Sequence, residues 1–122
     1  MTESATYRLF YRAMADRRPI VCTYHGYPRA VCPIILGHTD GHEKSLVYQF
    51  AGASSRGARG ARGWKCLTLS DVDGAELIDG PWHDGGGPHG AAQSCVKTVD
   101  VDVNPDSPYD PKRRLPPLPG RS

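Results

Sequence analysis

The residues whose types could do chemistry fall in two stretches. In the first, Tyr24 and Arg29 flank the short turn HGYPR. A ring beside a guanidinium suits a phosphate or a nucleobase, because the ring stacks and the planar fork of N–H donors matches an oxyanion. The same two residues also read as a cross-strand pair, Arg29 stacked on Tyr24, worth about 0.2–1 kcal/mol to the hairpin. In the second stretch, Arg56, Arg59 and Arg62 punctuate a Gly/Arg/Ala/Ser connector, residues 51–63, that runs into Trp64 and Lys65. Such spacing exposes guanidinium groups to a phosphate backbone while Trp64 stacks a base. Read the other way, it is a solvated loop with a buried Trp64 anchoring the next strand. Lys65 shares parity with Leu67 and Leu69, so it either lines the mouth of the core or snorkels to solvent.

Catalytic patterns do not assemble. The chain has no G-x-S-x-G, no Gly-rich phosphate loop and no H-E-x-x-H. Asp71, Asp73, Glu76 and Asp79 read as a solvated acidic edge. His38, Asp40 and His42 share one turn, but nothing nearby completes a metal's ligand set. The expectation is a non-enzyme with no cofactor and no metal. Cys22, Cys32, Cys66 and Cys95 form no C-x-x-C pair and read as free buried thiols in a reducing compartment. No apolar run reaches the ~18–20 residues of a membrane span, and MTESATYRLFYR has neither part of a signal peptide. A cytoplasmic protein without a membrane partner is expected.

Charge is uneven along the chain. Residues 1–65 hold ten Lys/Arg and four Asp/Glu, a balance of +6, while residues 66–122 hold five and nine, a balance of −4. A basic front half is compatible with an anionic partner without demanding one.

These residues must be positioned by a helix and strands. Tyr7, Phe10, Tyr11 and Met14 recur at helical spacing and predict a helix over about 6–17, capped by Ser4 or Thr6 and stopped by Pro19. Ile20–Tyr24 and Ala30–Leu36 predict a hairpin whose two-residue loop is Gly26–Tyr27, which sets Tyr24 opposite Arg29 and Cys22 opposite Val31. Pro33 marks an edge or a bulge. Ser45–Ala51, Trp64–Leu69, Ala75–Ile78 and Val99–Val103 predict further strands, the last with its valines inward and its aspartates in water. Residues 83–94 read as loop, and six prolines from Asn104 onward read as an unstructured tail. Within it RRLPPLP has the form that docks into SH3 grooves, but reads as incidental.

The stretches MADRRPIVCTYHG (14–26), PRAVCPIILG (28–37), LVYQFAG (46–52) and WKCLTLSDV (64–72) follow one another as do the strands of the WYL-domain family, which this chain resembles over residues 13–79. The naming triplet falls on Leu46-Val47-Tyr48, and Thr68 and Asp71 stand where the family carries basic residues. The resemblance implies a small Sm/SH3-type barrel that senses ligands or binds nucleic acid, here standing alone without a helix-turn-helix. The expected fold is therefore mainly β, an N-terminal helix followed by a small Sm/SH3-like antiparallel barrel or strongly bent sheet. It forms one domain over residues 4–103, with a disordered tail over 104–122. The expected function is a regulatory, ligand-sensing module for a nucleotide-like or single-stranded nucleic-acid ligand, held by Tyr24, Arg29, Tyr48, Arg56, Arg59, Arg62, Trp64 and Lys65. The alternative is an accessory module that pairs with a protein, or with a second copy, through a sheet edge or its helix.

Overall fold

The computed structural model describes residues 4–52, 63–83 and 95–103. Helix α1 (Ala5–Asp16) begins where the Ser4 hydroxyl accepts the Tyr7 N–H at 3.1 Å, satisfying one of the donors a helix start leaves orphaned. It ends as Arg17 turns left-handed at φ 53°, two residues before Pro19. Tyr7, Phe10, Ala13, Met14 and Ala15 are buried on one side, the face that the apolar spacing predicts.

Six strands follow among the described residues: β1 (Ile20–Tyr24), β2 (Tyr27–Thr39), β3 (His42–Gly52), β4 (Gly63–Thr68), β5 (Val72–Leu77) and β6 (Thr98–Asp102). They form one antiparallel sheet in the order β4-β3-β2-β1-β5, with β6 also paired to β2. β4 and β5 are joined by only a 3-10 turn, Leu69–Asp71, yet stand at opposite ends of that order. A three-residue link cannot span a flat five-strand width, so the sheet bends. Tyr24 ties the ends together. Its backbone pairs with Val72 at the start of β5, and its hydroxyl accepts the Thr68 N–H at 3.0 Å at the end of β4. No β4–β5 ladder forms among the described residues, so the sheet is bent but not closed into a barrel.

The first hairpin differs from its predicted register. The loop is His25–Gly26, with φ of 51° and 82°, so Tyr24 pairs with Tyr27 and Cys22 with Arg29. Two successive positive φ values give the turn whose twist matches the strands, and glycine takes the second without strain. Pro33 does sit at a bulge, between the Pro33–Val47 and Ile35–Leu46 pairs, but in a central strand rather than at an edge. It falls where β2 exchanges one neighbour for another, after its last β1 pair at Val31 and before its first β6 pair at Ile35.

The two faces of the sheet carry separate cores. Tyr7, Phe10 and Met14 of α1 pack on Ile20, Tyr24, Val31, Val47, Leu67 and Val101. On the other face Cys32, Ile34, Ile35, Val96 and Val99 pack together, with Tyr48, Phe50 and Trp82 against them.

Two further expectations are corrected. The aspartates of β6 are not in water: Asp100 and Asp102 are 7% and 8% exposed. Asp100 is the extra residue of a bulge between the Gly37–Val99 and Leu36–Val101 pairs. The bulge sends Val99 and Val101 to opposite cores and re-aims the carboxylate inward. The thiols are not all free either. Cys66 and Cys95 form a disulfide, while Cys22 and Cys32 keep buried thiols outside any disulfide. Folding brings β4 beside the approach to β6, a proximity that spacing along the chain does not encode. Cysteine usage therefore no longer argues for a reducing compartment. No described helix is long and apolar enough to cross a membrane.

Candidate functional site

Tyr24, Tyr27, Cys22 and Arg29 meet at the turn end of the first hairpin, on the helix-covered side of the sheet. Tyr27 and Arg29 are two apart on β2 and so share a face; Tyr24 and Cys22 are their partners on β1. The Arg29 guanidinium carbon lies 5.1 Å from the centre of the Tyr24 ring and 5.9 Å from that of Tyr27. Its Nη1 donates to the Gln49 side-chain oxygen at 3.2 Å, and Gln49, fully buried on β3, donates in turn to the Ala51 carbonyl. Gly52 pairs with Arg29 from β3 at φ 102°. A Cβ there would stand 2.4 Å from the Pro28 carbonyl oxygen, so only glycine lets β3 approach this closely.

The electrostatics of this cluster are unbalanced. Arg29 is 8% exposed, and its Nε has no partner. No aspartate or glutamate among the described residues forms an ion pair with it. Removing a cation from water costs several kcal/mol. Each desolvated cation–π contact returns up to about 2 kcal/mol, and one hydrogen bond to a neutral amide about 1.5–3 kcal/mol. The contacts roughly offset the burial but supply no counter-charge. Across the hairpin the Cys22 thiol is pushed up to about 11 by burial, with the charge of Arg29 opposing the rise. That thiol is neutral and inert at neutral pH.

The predicted site does not come together whole. Tyr24 and Arg29 do, in cation–π contact. Lys65 pairs with Val47 and lies on the same side of the sheet as Leu67 and Gln49, without a recorded contact to Arg29. Tyr48 and Trp64 are on the opposite face, paired across β3 and β4 with ring centres 5.5 Å apart and edge to face. Trp64 is 41% exposed, so it is not a buried anchor. Beside them Phe50 stacks on His83 at 4.3 Å. Arg56, Arg59 and Arg62, the Pro-rich tail and the greater part of the 83–94 loop lie outside the described residues.

Tyr27, Cys22 and Gln49 are missing from the sequence-derived set. Alternation sets Gln49 on one face with Val47, opposite Leu46, Tyr48 and Phe50, but does not say which of the two faces the helix covers.

A second polar cluster joins helix to sheet. Asp100 accepts the Tyr7 hydroxyl at 2.6 Å and lies 3.0 Å from His38 Nδ1, whose ring stacks on Tyr7. Asp40, from the same predicted turn, pairs instead with Lys97 at 3.6 Å. His38 and Asp40 are thus spent on separate partners. No protein-family model, curated protein or solved structure matches the chain.

Proposed function

We propose that this chain is a non-enzymatic ligand-sensing module, a divergent relative of WYL domains built on an opened Sm/SH3-like barrel. Its site takes the anionic group of a nucleotide-like ligand at Arg29. The observation that carries the reading is the buried guanidinium, which among the described residues has no counter-charge and no partner at Nε, with two tyrosine rings beside it. A phosphate or carboxylate would supply the missing charge and acceptor, and Tyr27, 36% exposed, offers a ring to a base. A compact ligand fits better than a long single strand, because Tyr48 and Trp64 face away from Arg29. The residues that resemble acid–base machinery have a structural use: Asp100 fastens Tyr7 of the helix to His38 of the sheet.

The test is titration of the protein with a labelled nucleoside monophosphate and a labelled short oligonucleotide, at low and high salt. Arg29→Met keeps the volume and removes the charge. Loss of binding by tenfold or more in a folded Arg29→Met protein is the expected result. Unchanged binding of both probes would sink the assignment.

A second reading, a module that pairs with a protein or a second copy through a sheet edge, draws on exposed Trp64 on the end strand β4. Pairing through the helix has less support, since its apolar face is already buried. Light scattering of the wild type and Trp64→Ala separates these: a concentration-dependent dimer lost in the variant favours edge pairing.

A further inference from the structure

We propose that the Cys66–Cys95 disulfide is a reversible thiol–disulfide latch that controls the order of the Arg29 site through strand β4. The inference rests on the preceding reading only for its effect on ligand; its effect on β4 stands alone.

Position is the first argument. Cys66 is exposed on an end strand, Cys95 is half-buried, and the two cysteines outside the disulfide are buried on the two sides of the sheet. Of the four sulfurs, this pair is the one that a reductant can reach. The Cys22 thiol, pushed up to about 11, is a poor competitor for exchange.

Connection is the second. Cys66 lies two residues before Thr68, whose N–H holds the Tyr24 hydroxyl and whose own hydroxyl accepts from Lys44 Nζ at 2.6 Å. Tyr24 is in turn one of the two rings against Arg29. Among the described residues β4 has one strand partner, through the β3 ladder from Lys44–Thr68 to Gln49–Gly63. Cys95 is itself held, its carbonyl accepting the Thr39 hydroxyl at 2.7 Å. Cys95 Sγ also lies 3.5 Å from the Ser45 carbonyl oxygen, so the disulfide ties Cys66 of the end strand across the face of β3 to a fixed point. Opening it leaves β4 on one ladder and loosens the one bond that seats Tyr24 from that end.

The reductant is a dithiol. Its thiolate attacks Sγ of Cys66, the more exposed residue, giving a mixed disulfide and a Cys95 thiolate that takes up a proton. The second thiol, deprotonated, displaces Cys66, which leaves as a thiolate and is protonated. Two electrons pass to the protein, which ends with two thiols, and the reductant ends as a cyclic disulfide.

Native protein is treated with a graded series of dithiothreitol. Exchange of the Thr68 amide is followed by NMR, and binding of the labelled nucleoside monophosphate is measured in parallel. Expected are reduction without denaturant, Thr68 exchange at least tenfold faster in the reduced form, and binding at least fivefold weaker. The double variant Cys66→Ser/Cys95→Ser should behave as the reduced form with or without reductant. A bond that yields only in denaturant, or equal Thr68 exchange in both forms, would overturn the latch. If the probe binds neither form, the proposed ligand fails, and the exchange comparison still decides the latch.

Discussion

Asp100 and Arg29 are 7% and 8% exposed, yet the chain treats them in opposite ways. Asp100 has a tyrosine hydroxyl at 2.6 Å and an imidazole nitrogen at 3.0 Å, contributed by the helix and the central strand. Arg29 has one neutral amide oxygen, two ring faces and an unpartnered Nε. Both charges are costly to bury. The carboxylate is matched internally, so its energy goes into joining α1 to β2 and β6. The guanidinium lacks a counter-charge from the described chain, and the proposed ligand site rests on that difference.

That contrast breaks most visibly at Asp100. Asp100→Ala removes the charge and the 2.6 Å acceptor of the buried Tyr7 hydroxyl, so unfolding in urea should show a loss of about 3 kcal/mol. A loss below about 1 kcal/mol would mean that the cluster does not fasten the helix. High pH gives the next largest effect. Below about pH 9 the Cys22 thiol is protonated in both states; above it the unfolded chain ionises while the folded thiol, pushed up to about 11, resists. Stability should therefore fall between pH 9 and 11, by on the order of 2 kcal/mol. Cys22→Ala should flatten that decline, and Arg29→Met should extend it upward because the opposing charge is gone. A pH profile identical in Cys22→Ala and wild type would contradict this.

Tyr7→Phe leaves Asp100 its histidine alone and should cost about 1.5 kcal/mol by the same urea measurement. Arg29→Met, by contrast, should leave the melting midpoint unchanged or raised, the equivalent of about 0–1 kcal/mol, because it replaces an unmatched buried charge with an apolar chain of similar volume. A drop as large as that of Asp100→Ala would show that Arg29 is structural after all. The smallest change is expected from Trp64→Ala, on the other face: stability within about 0.5 kcal/mol and nucleoside monophosphate affinity within twofold by titration.

Part of this was readable from the residues. The helix is legible because its apolar residues recur at 3.6-residue spacing between a serine cap and a proline, all local signals. The existence of the hairpin is legible too, but not its register. A left-handed histidine before Gly26 competes with Gly26–Tyr27 as the loop, and the two registers differ by a two-residue slide that leaves every side chain on the same face, so alternation does not choose between them. Tyr24 and Arg29 are found from sequence because they flank that turn. Gln49 and Tyr27 are not, because their roles depend on which side of the sheet the helix covers. The Val-Asp-Val-Asp-Val strand misleads for a related reason: strict alternation assumes one wet face, and here a bulge and a second layer cover both.

What the amino-acid sequence determined alone is the mainly β character, the capped helix before it and the pairing of the first two strands, since each rests on contacts between residues close along the chain. Tertiary structure decided the rest. It bent the sheet through Tyr24, joined Cys66 to Cys95 across the fold, and turned Asp100 inward to partners while leaving Arg29 without a counter-charge among the described residues. A side chain's type is written in the sequence; whether its charge is matched depends on which distant residues the fold sets beside it.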